Sequence, residues 1–208
     1  MWKCAASWLA FLLLTPNGRP DGEEIVPDSS EDSLLQALSR AVRCFQRIHA
    51  PYVLIGGWAV AVWGRPRATM DLDFLVMVNE KNLNSLLAEM VRAGIAADDG
   101  WSKHNPMLRP FQVRLQFREV TLDILRPRDR HDRELFRRRR KKRLEGRYYW
   151  IVAPEDFILQ KLKVGRPRDF EDAISVLERS RGELNRRYLE RWAKRLGIIG
   201  ELSYITSL

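Results

Sequence analysis

The sequence predicts an α+β fold, a mixed sheet with flanking helices followed by a helical C-terminal portion. Three observations predict it. Short apolar or alternating runs are interleaved with segments of helical period up to about residue 128; two alternating runs are joined by only two residues; and after Pro154 the apolar residues recur at helical spacing alone. With 208 residues, 45% hydrophobic and 30% charged, the chain suits one domain, or a catalytic domain with a small appendage, and excludes a disordered polymer.

In chain order, residues 15–32 (TPNGRPDGEEIVPDSSED) read as a linker rich in Pro, Gly, Ser and acid. Ser30 or Asp32 would cap a helix over 33–48, with Leu34, Leu35, Leu38, Val42 and Phe45 at helical spacing. Tyr52 to Ile55 is a buried strand between Pro51 and Gly56-Gly57, and Trp58 to Trp63 a short helix stopped near Gly64 and Pro66. Asp71 to Val78 reads as a second strand. Lys81 to Ala93 is an amphipathic helix with Leu83, Leu86, Leu87, Met90 and Val91 inward, ended by Gly94. Phe111 to Phe117 and Val120 to Leu125 form an antiparallel hairpin about Arg118-Glu119. Arg143 to Val152 forms another about Glu145-Gly146. Helices follow over 154–163, 170–179 and 183–196, Pro154 suiting a first turn with Glu155 and Asp156 favourable to the dipole. The expected organisation is an extension over 1–32, a core over 33–128, and a basic connector with a helical region over 129–208.

The net charge is +9, from 36 Lys+Arg against 27 Asp+Glu, which favours a polyanionic partner. Cys4 and Cys44 give no disulfide framework, and His49, His104 and His131 lack metal-ligand spacing. Lys3 followed by AASWLAFLLL resembles a signal peptide and is too short to span a bilayer comfortably. An extension ahead of a cytoplasmic, membrane-free protein is the expectation.

The stretch IGGWAVAVWGRPRATMDLDFLV carries the chemistry. A strand ends in two glycines and a helix begins at once, so backbone N–H groups and a positive dipole end face whatever approaches. On the next strand Asp71 and Asp73 are two apart and share a face. Two carboxylates there repel unless a cation lies between them, and Mg²⁺ takes carboxylate and phosphate oxygens together. Asp123, in the otherwise apolar VTLDIL, would be the third ligand if its strand lies beside that of Asp71. Two solvent-facing acids on an edge strand would look alike; the upstream glycines and downstream Asp123 favour the metal.

Gly-Gly, then Arg67-x-Thr69-x-Asp71-x-Asp73, then a distant strand aspartate resembles the polymerase-beta-like nucleotidyltransferase superfamily. Within it the chain is similar to the AbiEii-like branch of toxin and stand-alone enzymes, through Pro154-Glu155-Asp156, Lys161, Arg166, Asp169 and Asp172. The resemblance implies a polymerase-beta-like mixed-sheet core. It implies that Gly56 and Gly57 cradle a nucleoside triphosphate such as ATP, with Arg67 and Thr69 nearby. Asp71, Asp73 and Asp123 would hold one or two Mg²⁺ ions, Asp123 also helping to deprotonate an attacking hydroxyl. Lys161 would meet triphosphate oxygens, and Asp169 or Asp172 would orient Lys161 or the base. Many relatives have Gly-Ser where this chain has Gly56-Gly57, which removes a hydroxyl.

The run Arg137 to Arg143 (RRRRKKR) could contact RNA, such as a tRNA end, or could be a solvated helix end leading into a strand. An antitoxin protein is a further expected partner. The GGWAV phrase also resembles antibiotic adenylyltransferases acting on aminoglycosides or lincosamides. Such enzymes want an acidic pocket for a cationic drug, and this chain is basic. A nucleotide- or RNA-binding relative without turnover is the remaining alternative. Trp58, Trp63 and Trp101 are expected in the core or at its rim.

Overall fold

The computed structural model describes residues 29–180 and 182–208. The signal-like segment, Cys4 and linker residues 15–28 lie outside the described residues. The first helix, α1 (Ser29–Arg47), starts inside the expected linker, ahead of both residues expected to cap it. Leu34, Leu38, Val42 and Phe45 are buried along it, as the helical spacing requires.

Next come β1 (Tyr52–Leu54), α2 (Gly56–Trp63), β2 (Asp71–Val76), α3 (Glu80–Arg92), β3 (Ala96–Ala97), α4 (Asp99–His104), β4 (Gln112–Phe117) and β5 (Val120–Leu125). The chain continues through α5 (Arg130–Arg138), β6 (Arg140–Leu144), β7 (Arg147–Ile151), α6 (Pro154–Val164), α7 (Pro167–Arg179), α8 (Arg186–Leu196) and α9 (Ile199–Ser207). Among the described residues no helix is long and apolar enough to cross a membrane.

The strands form one mixed sheet in the order β3-β4-β5-β2-β1-β7-β6. β2 pairs parallel with β5 and antiparallel with β1, and β1 pairs parallel with β7. Both expected hairpins are present, β4–β5 and β6–β7, the second turning at Glu145 and Gly146 with φ of 46° and 73°. β6 and β7 follow residue 128 yet complete the same sheet.

One expectation needs correcting. Val91 is 64% exposed, because Leu86 and Met90, four residues apart, define the buried stripe of α3 and Val91 falls to its side. Glu155 and Asp156 do lie in the first turn of α6, where they suit the dipole, and both are buried and bound by Arg138, at 2.7 Å and 2.9 Å. Asp156 also receives the Tyr188 hydroxyl and lies 3.2 Å from His131 Nε2, so one buried polar cluster ties α5, α6 and α8 together.

Trp58 and Trp63 are buried and Trp101 half-buried. Cys44 is a free thiol in the core, 2% exposed.

Candidate active site

Parallel pairing of β2 and β5 brings the acidic residues together. Asp71 lies opposite Thr121 and Asp73 opposite Asp123. Neighbouring strands lie about 4.8 Å apart, so Asp73 and Asp123 stand side by side on one face. Asp71 is exposed, Asp73 half-buried and Asp123 buried.

Gly56 closes over this pair from β1. Its φ is +62°, a conformation that side chains resist, and a Cβ there would sit 1.9 Å from Asp73 Oδ2. Only glycine lets the turn pass so close to the carboxylate. Ile55, which precedes α2, offers no side-chain cap, and the first turn holds no acid. The amide donors at this helix start therefore meet no cap from that residue beside the carboxylates. Gly57 backs onto Thr69, whose Oγ1 accepts the Asp71 backbone N–H at 3.2 Å. Thr69 thereby sets the entry of β2.

Lys161 arrives from α6. Its Nζ reaches Asp169 Oδ1 at 2.9 Å and Asp172 Oδ2 at 2.8 Å. Asp172 also receives Arg67 through Nε and Nη2, at 3.1 Å and 3.2 Å. Arg67, Asp172, Lys161 and Asp169 thus form one chain of ion pairs linking the loop before β2 to α6 and α7. Burial opposes ionisation of Asp172, but hydrogen bonds from Arg67 and Lys161 hold its carboxyl below the usual range. Of the two acids expected to orient Lys161, both touch it.

Burial, then the charges of Asp123 and Asp71, push the Asp73 carboxyl up to about 6, with Lys161 and Arg114 opposing. The face is short of positive charge where Asp73 stands. Asp123 is different. Arg114 on β4 lies directly opposite it and clasps it twice, Nε to Oδ1 at 2.9 Å and Nη2 to Oδ2 at 2.7 Å. The Arg114 guanidinium lies 5.0 Å over the Trp101 ring.

Among the described residues no group of three or more His, Cys, Asp or Glu side chains is disposed to hold a metal ion. The donor chemistry nevertheless suits a hard divalent cation: two carboxylates two residues apart, one of them raised by burial and then by its acidic neighbours. Both carboxylate oxygens of Asp123 accept from Arg114.

Arg114 is the site residue that the sequence reading passed over. A signal for it was present, since the two-residue connection at Arg118-Glu119 sets Phe117 against Val120 and so Arg114 against Asp123.

No protein-family model matches the sequence, and no curated protein matches it. Among solved structures, ANT(2")-Ia in complex with adenylyl-2"-tobramycin superposes with a TM-score of 0.53 at 12% identity, covering 80% of this chain and 97% of that one. The solution structure of the antibiotic-resistance factor ANT(2'')-Ia gives a TM-score of 0.54 at 12% identity, covering 83% and 98%. The lincosamide antibiotic adenylyltransferase LnuA, lincomycin-bound, gives 0.49 at 14% identity, covering 68% and 94%. By architecture the chain carries a nucleotidyltransferase fold, a mixed sheet with a helical C-terminal portion.

Proposed function

We propose that the protein is a metal-dependent nucleotidyltransferase that moves a nucleoside monophosphate from a triphosphate to a hydroxyl of RNA. The observation that carries this reading is Asp73 beside Asp123 at one register, beneath the Gly56 turn at the start of α2. Asp71 and Asp73, with Asp123 once freed from Arg114, would hold Mg²⁺. That ion would supply charge stabilisation at the triphosphate.

The remaining work falls to the chain. Amides at the Gly56-Gly57 helix start bind phosphate oxygens, and Lys161, fixed by Asp169 and Asp172, places a cation for the negative charge that develops. The acceptor hydroxyl oxygen attacks the α-phosphorus. A new P–O bond forms, the α–β anhydride bond breaks, and pyrophosphate leaves with its electron pair. Asp123, beside Asp73 at the same register, is the carboxylate to which the hydroxyl proton would go.

RNA is favoured over a cationic antibiotic by the net charge of +9 and by Arg67, Arg114 and Lys161 around the acids. The antibiotic reading is the second one, favoured by the fold likeness to ANT(2")-Ia. A toxin of the AbiEii-like kind, working in the cytoplasm with an antitoxin partner, is the biological setting this reading suggests.

The test is incubation of the full chain with each labelled triphosphate, Mg²⁺ and total RNA, with tobramycin and lincomycin in parallel. Label in RNA, absent with Asp73→Asn, supports the proposal. Label in an antibiotic alone selects the second reading, and no pyrophosphate release from any mixture refutes both.

A further inference from the structure

The basic run splits in the structure. Arg137 pairs with Glu134, and Arg138 is consumed by Glu155 and Asp156. The next five residues, Arg139 to Arg143, make no salt bridge among the described residues. Four of them lie on β6, the last strand of the sheet. Charge on an edge strand also deters edge-to-edge pairing, but a single lysine would do that. Arg139 donates to the Tyr52 carbonyl and Lys142 sits 4.3 Å over the Trp63 ring, but among the described residues none of the five meets a carboxylate, and such a run suits an anion.

Beside them opens a groove of 540 Å³ with no carboxylate among its lining residues. Tyr148 and Trp150 of β7, Arg139, Lys141, Gln46 and His49 are among those that line it. Tyr148 is 59% exposed, a large ring presented to solvent. Arg139 stands 4.5 Å over the Trp150 ring and Lys141 5.2 Å over that of Tyr148, so rings and cations alternate along one wall.

The groove also has a direction. Arg140 is level with Ile151, which is level with Leu54, two residues short of Gly56; Arg143 is level with Tyr148, further back. β6 therefore runs from the level of the glycine turn outward.

From these residues we infer a binding track for single-stranded RNA along β6 and β7. Arg139 and Lys141 take phosphates, and Tyr148 and Trp150 stack on unpaired bases. Stacking on every second residue of a strand suits splayed bases and excludes a duplex, whose bases are not free. Gln46 and His49 offer polar groups to the ribose hydroxyls. The inference deepens the RNA-acceptor reading and rests on it for the choice of polynucleotide; the groove itself is argued from charge and rings.

The experiment is fluorescence anisotropy of the full chain with a labelled 12-nucleotide oligouridylate, its deoxy counterpart and an RNA duplex, with nucleotidyl transfer assayed on the same preparations. Tyr148→Ala and Lys141→Ala change exposed side chains and leave the fold intact, which circular dichroism verifies. Loss of one stacking platform should weaken binding about tenfold or more. Loss of Lys141 should lower the slope of log Kd against log salt by about 0.7. Ribo-oligomer should bind tighter than deoxy-oligomer or duplex. Wild-type affinity in both variants, equal affinity for all three probes, or no binding to the wild type overturns the track. Transfer to RNA with unaltered binding in the variants sinks the track and spares the proposed function; groove-dependent binding without transfer does the reverse.

Discussion

Gly56→Ala separates a turn built to touch a carboxylate from a turn that merely changes direction. Two costs arise at once. A side chain at φ +62° costs about 1–2 kcal/mol in the left-handed region. The new methyl would also lie 1.9 Å from Asp73 Oδ2, 2.7 Å from Cγ and 2.9 Å from Cβ, so Asp73 must leave its rotamer for about 0.5–1.5 kcal/mol more. Together they amount to about 2–3 kcal/mol, which for a chain of this size lowers the melting temperature by about 5–10 °C. Nucleotidyl transfer should fall further than stability, by about 100-fold, because the displaced group is a reacting-site carboxylate. Gly57→Ala is the internal control. It sits in helical conformation, the three atoms nearest its Cβ would all belong to the Thr69 side chain, at 3.0 Å, and helix propensity offsets part of that crowding. Thermal melting and transfer rates for the two variants decide the matter. Wild-type melting and turnover in Gly56→Ala would refute the argument.

Protonation of Asp73 gives a signature in metal-free protein. Its carboxyl is raised from 3.8 to about 6, so the folded chain holds that proton more tightly than the unfolded one. The associated stability is complete below pH 4 and is lost as pH rises through 6. At 1.36 kcal/mol per unit the loss is about 3 kcal/mol, and Asp73→Asn in chelator should be more stable than wild type by up to that amount at pH 7.5 and comparable at pH 4; urea unfolding that finds a pH-independent difference contradicts this. Lys161→Ala should cut transfer by at least about 100-fold and raise KM for the triphosphate, since one preorganised cation is removed; unchanged kinetics would make the lysine purely structural. Arg138→Ala strands two buried carboxylates, Glu155 and Asp156, and should cost about 3–5 kcal/mol in chemical denaturation. A loss below 1 kcal/mol would show that the cluster relaxes.

Much of the site was legible because its elements obey simple periods. Asp71 and Asp73 on one face, and the hairpin that carries Asp123, follow from alternation and a two-residue turn. Their meeting did not follow, since the parallel pairing of β2 with β5 is a choice of neighbours that local pattern leaves open. The helix α5 was legible only at its C-terminal end, in the basic run that leads into a strand. RHDRELFRR carries just two apolar residues, Leu135 and Phe136, and its buried side includes His131 and Asp132 along with Leu135. β3 is two residues long, below any sequence signal. The clasp of Arg114 on Asp123 was implicit in the hairpin register but hidden by reading acid and base positions on separate strands.

The parallel pairing of β1 with β7 has a kinetic meaning. Leu54 meets Ile151 across about 100 residues of intervening chain, and such long-range closure is slow. During synthesis the strand that leads into the glycine turn waits, one edge bare, until its partner has left the ribosome. The turn over Asp73 therefore gains its last neighbouring strand only after the two strands that carry Asp73 and Asp123 are complete.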